Sequence, residues 1–316
     1  MTATLSSTVY PALDLAGYFH PAPTYFQTRQ RFNYLVDRYL SPNVLSDRLT
    51  DLPDQFKNPQ QRPWERFDWR AISPEQIVGV DPDLFISLIV ASAEVEAPIR
   101  TYAETTRNYL KSVHPDMTRF ISGAYDDAGE LIEVGVWEKE ERQHSPIFCR
   151  LYQQLTGEKL IPKENSVTEI CPEASAGDAL YTHAVRRITT EWSAVSVYLW
   201  LMAHSTGALQ QAIAQPLQDE VNHLAKFWGM TRWGFGDHTP HRLVNMTTQL
   251  SDMFGHHEGE RSTSSEILQL GYVQYGIELG YGFTRVLRQL CKWNTNLQPE
   301  LLVSLFGPRP VFQAAG

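Results

Sequence analysis

Trp137-Glu-Lys-Glu-Glu-Arg-Gln-His144 is the stretch whose reading decides the fold. Trp137, Glu141, His144, Phe148 and Leu151 recur at alternating four- and three-residue steps, which is one continuous face of a helix. Lys139, Glu140, Arg142 and Gln143 fall largely off that face. Residues three apart on a helix are neighbours, so Glu141 and His144 can reach one point. A glutamate on a buried apolar stripe has to be paired or bound to something. The periodicity predicts a helix over 132–154, with Gly157 as its stop.

The same signal returns at Glu220-Val-Asn-His223. Here Pro216 reads as the first helical residue, Leu217, Glu220, His223, Leu224 and Phe227 as the inner stripe, and Gly229 as the end. One lone glutamate precedes each motif. Glu96 lies on a helix that opens at Asp81-Pro82, an N-cap followed by proline, and Pro98 predicts a kink just beyond it. Glu191 lies on a helix over 179–204 and shares its face with Ala184, Tyr198 and Met202. The order Glu, Glu-x-x-His, Glu, Glu-x-x-His is what a dimetal carboxylate site in a bundle core requires. The candidate metal ligands are therefore Glu96, Glu141, His144, Glu191, Glu220 and His223. Their oxygen and imidazole donors suit two Fe ions, with manganese open at one position.

These motifs resemble those of the soluble acyl-carrier-protein desaturases, within the ferritin-like diiron carboxylate superfamily. Trp137 to His144 is similar to their W-x-x-E-E-x-x-H stretch, and Asp219-Glu220-Val-Asn-His223 to their D-E-x-x-H stretch. Val95-Glu96-Ala97 followed by Thr101-Tyr102 resembles their E-E-A-x-x-T-Y helix, with one extra residue before the Thr-Tyr. The resemblance covers about 82–230. It implies an all-α, ferritin-like four-helix bundle with a long crossover, placed here at 156–177. It further implies that Glu141 and Glu220 bridge the metals, that Glu96 and Glu191 are terminal ligands, that Asp219 orients a ligating histidine, and that the chain pairs as a homodimer. Where the desaturases carry a threonine three residues past the third-helix glutamate, this chain has Ala194.

The implied activity is oxygen-dependent, desaturase- or oxygenase-like oxidation of a small or fatty organic substrate. Its electrons come from an external donor, since no flavin or nicotinamide fingerprint is visible. N-oxygenation, ferroxidase chemistry on the same centre, and a metal-free helical scaffold are the alternatives. A net charge of -9 in 316 residues gives no case for nucleic-acid binding. The longest apolar run, Val197 to Ala203, is far short of a membrane span, and Met1 to Val9 lacks the basic residues of a signal peptide. Cys149, Cys171 and Cys291 are odd in number and far apart, and read as reduced thiols of a cytoplasmic protein.

The whole chain reads as one domain. An irregular arm over 1–23 leads to a helix carrying Phe26, Phe32, Leu35, Val36 and Tyr39. A proline-rich strap over 41–80 follows, anchored by Trp64, Phe67 and Trp69, and Gly123 to Gly129 reads as a hairpin-like turn. Additional helices fall near His241–Phe254 and Ser264–Trp293. His256-His257-Glu258 reads as a solvated turn, Tyr198 as a core tyrosine with a bonded hydroxyl, and Arg186 and Arg187 as partners of surface acids.

Overall fold

The computed structural model describes residues 25–163, 176–255 and 266–310. It is all-α apart from one small hairpin. The arm over 1–23, most of the proposed crossover, Cys171 and the His256-His257-Glu258 turn lie outside the described residues.

Helix α1 (Tyr25–Tyr39) buries Phe32, Leu35 and Val36 as its spacing predicts, but leaves Phe26, at its first turn, exposed. The strap expectation needs correction over its first part. Residues 42–57 form α2 (Pro42–Thr50) and α3 (Leu52–Lys57), because Pro42 and Pro53 fall in the first turns of helices, where a missing N–H costs nothing. Only the stretch from Asn58 onward is a strap, with 3-10 turns at Trp69–Ala71 and Pro74–Gln76. Its end is stitched to the bundle: Ile77 bridges Ser205, Val78 N–H donates to the His204 carbonyl, and the Gln76 side chain accepts from Leu209 N–H.

Helix α4 (Pro82–Val95) opens on Asp81, whose side chain accepts from Asp83 and Leu84 N–H. It stops where Pro98 forbids continuation: Glu96 is its C-cap, and α5 (Ile99–Leu110) restarts past the proline. After α6 (Pro115–Ser122), strands β1 (Ala124–Tyr125) and β2 (Leu131–Glu133) make the expected hairpin. Asp126 accepts from two backbone N–H groups in its turn, and Gly129 takes φ 86.

The continuous helix predicted over 132–154 is two helices, α7 (Val136–Glu141) and α8 (His144–Thr156). The physical reason is Pro146, which has no N–H to donate to the Arg142 carbonyl and whose ring crowds it, so the chain breaks at Arg142–Gln143. Burial nonetheless follows the expected face: Trp137, Glu141, His144, Phe148 and Leu151 are all inside. Gly157 ends α8 in the left-handed conformation.

Helices α9 (Ala176–Ala203) and α10 (Gly207–Phe235) are long, joined by three residues, and packed along each other as an antiparallel hairpin. Two sequence expectations fail on α10. Pro216 lies inside the helix rather than at its start, and Gly229 does not end it. The run Leu209, Ala212, Ile213 and Leu217 is wholly buried, so packing outweighs the roughly 3 kcal/mol that an interior proline costs. Gly229 instead admits Leu49 of α2, where a Cβ would come within 2.5 Å of a leucine methyl. Helices α11 (Thr239–Gly255), α12 (Glu266–Asn294) and α13 (Pro299–Phe306) complete the fold. The short α13 was not anticipated; Phe306 stacks on Trp233. No helix among the described residues is long and apolar enough to cross a membrane.

Candidate metal centre

All six candidate ligands meet in the core, between α4, the α7–α8 junction, α9 and α10. None is more than 7% exposed. They form two overlapping sets, Glu96–Glu141–His144–Glu220 and Glu141–Glu191–Glu220–His223, with the donor atoms of each set within 4.8 Å of one another. Glu141 and Glu220 belong to both sets.

The two imidazoles are oriented alike. His144 Nε2 donates to Asp219 Oδ2 at 3.3 Å, and His223 Nε2 donates to Glu140 Oε2 at 2.8 Å. A carboxylate can only accept, so these bonds put the ring proton on Nε2 and turn each Nδ1 inward. His144 Nδ1 then lies 3.2 Å from Glu141 Oε2 and 3.0 Å from Glu220 Oε1. His223 Nδ1 lies 2.8 Å from Glu141 Oε1 and 3.6 Å from Glu191 Oε2. These are contacts in distance only: His144 Nδ1, His223 Nδ1 and Glu220 Oε1 are buried without hydrogen-bond geometry to any partner.

Lone pairs facing each other across such gaps need a cation between them. Without a metal, that cation is a proton. Burial and the charges of Glu141 and Glu191 push Glu220 well above the usual carboxylate range. Burial and the charge of Glu141 push Glu96 up to about 8. Burial alone would lower His144 and His223, but the surrounding carboxylates win and hold both well above the ordinary imidazole value. Glu141, touched by both rings, is held low despite its burial. A metal pair would replace those protons. Four carboxylates, two inward nitrogens and no thiol are a donor set for iron or manganese, and the residues present fit that group.

The bracing crosses between halves. Asp219, on α10, holds the histidine of α8, while Glu140, on α7, holds the histidine of α10. Arg62 of the strap ties the two braces together, its backbone N–H donating to Glu140 Oε1 at 2.7 Å and its Nε to Asp219 Oδ1 at 2.6 Å. Trp64 Nε1 donates to the other Asp219 oxygen at 2.7 Å, and its ring stacks on His144. Trp137 stands edge-on to His223. Tyr198 does have a bonded hydroxyl, but its partner is a candidate ligand: it donates to Glu96 Oε1 at 2.6 Å.

Two expectations change, and one residue was missed. Glu140, read as off the buried face, is 1% exposed, because α7 ends within a turn and its last residues point inward. The available signal was the acid immediately before each Glu-x-x-His glutamate, Glu140 in one motif and Asp219 in the other. Arg62 gave no local signal. Arg187 is not a surface residue: it is buried, with its guanidinium 4.8 Å from the Tyr102 ring centroid.

Comparison with family models, with curated proteins and with solved structures returned no match to this chain.

Proposed function

We propose that this chain is a ferritin-like diiron protein that uses dioxygen to oxidise an organic substrate, with electrons drawn from an external donor. The observation that carries this reading is the pair of overlapping four-residue sets sharing Glu141 and Glu220. Six buried ionisable side chains from four helical segments are costly unless cations offset them, and a scaffold role gives no reason to maintain them.

Glu141 and Glu220 would bridge the two ions, Glu96 with His144 would complete one site, and Glu191 with His223 the other. Bound there, two ferrous ions would supply electrons to dioxygen and with them the oxidising power. The chain's own groups do the rest. Asp219 and Glu140 fix the tautomer and aim of the imidazoles. Tyr198 holds the Glu96 carboxylate in place. Trp137, Phe148 and the apolar faces of α9 and α10 keep bulk water from the ligands.

The test is metal content and position. Protein loaded with ferrous iron should hold two irons per chain and consume dioxygen, and anomalous scattering at the iron edge should give two peaks flanking Glu141 and Glu220. One peak, or none, would remove the dimetal reading.

A further inference from the structure

We propose that Arg187 anchors the carboxylate of an organic-acid substrate beside the metal centre, a proposal that rests on the function proposed above. Arg187 is 4% exposed and lies on α9 one turn before Glu191. Its Nε is sealed from solvent without a hydrogen-bond partner. Among the described residues the Arg187 side chain makes no hydrogen bond and no ion pair; its guanidinium lies over the face of Tyr102 and feels the charges of Glu191 and Glu141 at longer range. The other deeply buried cations differ. Lys226 bonds Asp51, Asn222 and the Arg48 carbonyl; Arg31 bonds the carbonyls of Ala203 and Ser205; Arg242 bonds that of Gly236. A buried guanidinium offset only at a distance, with its Nε–H lacking an acceptor, is costly, and an arriving anion would relieve that cost.

Its position favours a ligand over a purely structural role. The imidazole side of the cluster is closed by Asp219, Glu140, Arg62 and Trp64. Arg187 and Tyr102 instead flank the interruption at Glu96–Pro98, where α4 has ended and α5 begins. One and two turns further from Glu191 along α9, Ala184 and Leu180 line an apolar crevice with Leu110 and Met230; its free volume is only about 10 Å³, so an apolar chain would enter it by parting the walls. Read along α9, the order is apolar wall, unpaired cation, metal ligand. That order suits an acid with an apolar body. A guanidinium grips a carboxylate with two parallel N–H donors, which a lysine cannot copy.

Titration calorimetry with benzoate and octanoate against their neutral amides, on metal-free and Co(II)-loaded protein, tests the proposal. At least one acid should bind more than tenfold tighter than its amide in both states, as a charge-assisted pair predicts. Arg187→Gln should erase that preference while still loading two metals per chain, and Arg187→Lys should keep part of it. Acid and amide binding alike in the wild type would overturn the proposal. So would a preference that survives Arg187→Gln, or a variant that changes metal loading alone, which would make Arg187 a charge-offsetting group. A protein that takes up no metal defeats the metal-centre reading by itself; the acid preference of the metal-free protein still decides Arg187. If the glutamine variant does not fold, the wild-type acid–amide ratio and the lysine variant carry the decision.

Discussion

In the half built from α9 and α10, Glu191 and the Glu220–His223 pair sit in the interiors of helices 28 and 29 residues long. In the half built from α4 and α7–α8, the same donors sit where helices stop. Glu96 is the C-cap of α4, Glu141 is the last residue of α7, and His144 is the first of α8. Two prolines, Pro98 and Pro146, make that difference. One half holds its candidate ligands on unbroken helices, and the other carries them at backbone breaks.

The largest expected effect tests whether the halves make one site or two. Glu141 and Glu220 come from different halves, yet each belongs to both ligand sets. Glu141→Ala and Glu220→Ala should therefore each abolish binding of both metals while leaving the helical circular-dichroism signal in place. Should Glu141→Ala keep one tightly bound metal, the halves are independent and the bridging assignment is wrong.

A smaller effect tests the cross-bracing. Asp219→Asn should weaken metal affinity by about 10- to 100-fold, the usual consequence of losing a carboxylate behind a ligating histidine, and so should Glu140→Gln. The loss should fall on the opposite half from the mutation. Asp219→Asn should spoil the His144 site and Glu140→Gln the His223 site, resolved as separate steps in a Co(II) titration. A loss confined to the mutated residue's own half would break the comparison, since bracing would then be local.

What the sequence displays and what it hides follow the same division. Glu-x-x-His is a local relation, so spacing alone places both motifs on buried faces, and Asp81-Pro82 marks the start of α4 by capping chemistry. The break in the first motif was also local; Pro146 sits two residues past His144, and helix periodicity carries no information about a missing N–H. Pro216 misleads in the opposite direction, because burial along α10 overrides the local signal. Arg62 is a different case. It meets Glu140 across 78 residues of chain and Asp219 across 157, and nothing in its own neighbourhood encodes those contacts. The candidate ligands were legible because helices bring near neighbours together. The brace that couples the halves was not, because it depends on how the strap crosses them.

The smallest predicted effect isolates the interrupted half. Tyr198, on α9, donates to Glu96, the cap of α4, so one hydroxyl couples the unbroken helix to the interrupted one. Burial and Glu141 raise the Glu96 carboxyl to about 8 from an ordinary 4.5, whereas the Tyr198 bond works against that rise. The metal-free fold therefore holds a proton on Glu96 that the unfolded chain releases, and this group's contribution to stability declines as pH climbs from 4.5 to about 8. Tyr198→Phe removes the opposing bond, lifts the carboxyl further, and stretches that decline to higher pH. Metal binding must displace the same proton, so affinity at the Glu96–His144 site should drop several-fold at pH 6.5, in keeping with about 1 kcal/mol for one hydrogen bond. The deficit should fade well above pH 8, where the carboxyl is ionised with or without Tyr198. The Glu191–His223 step should not move. An equal deficit at both steps, or one independent of pH, would mean that Tyr198 supports the packing of the whole core and not the cap of α4.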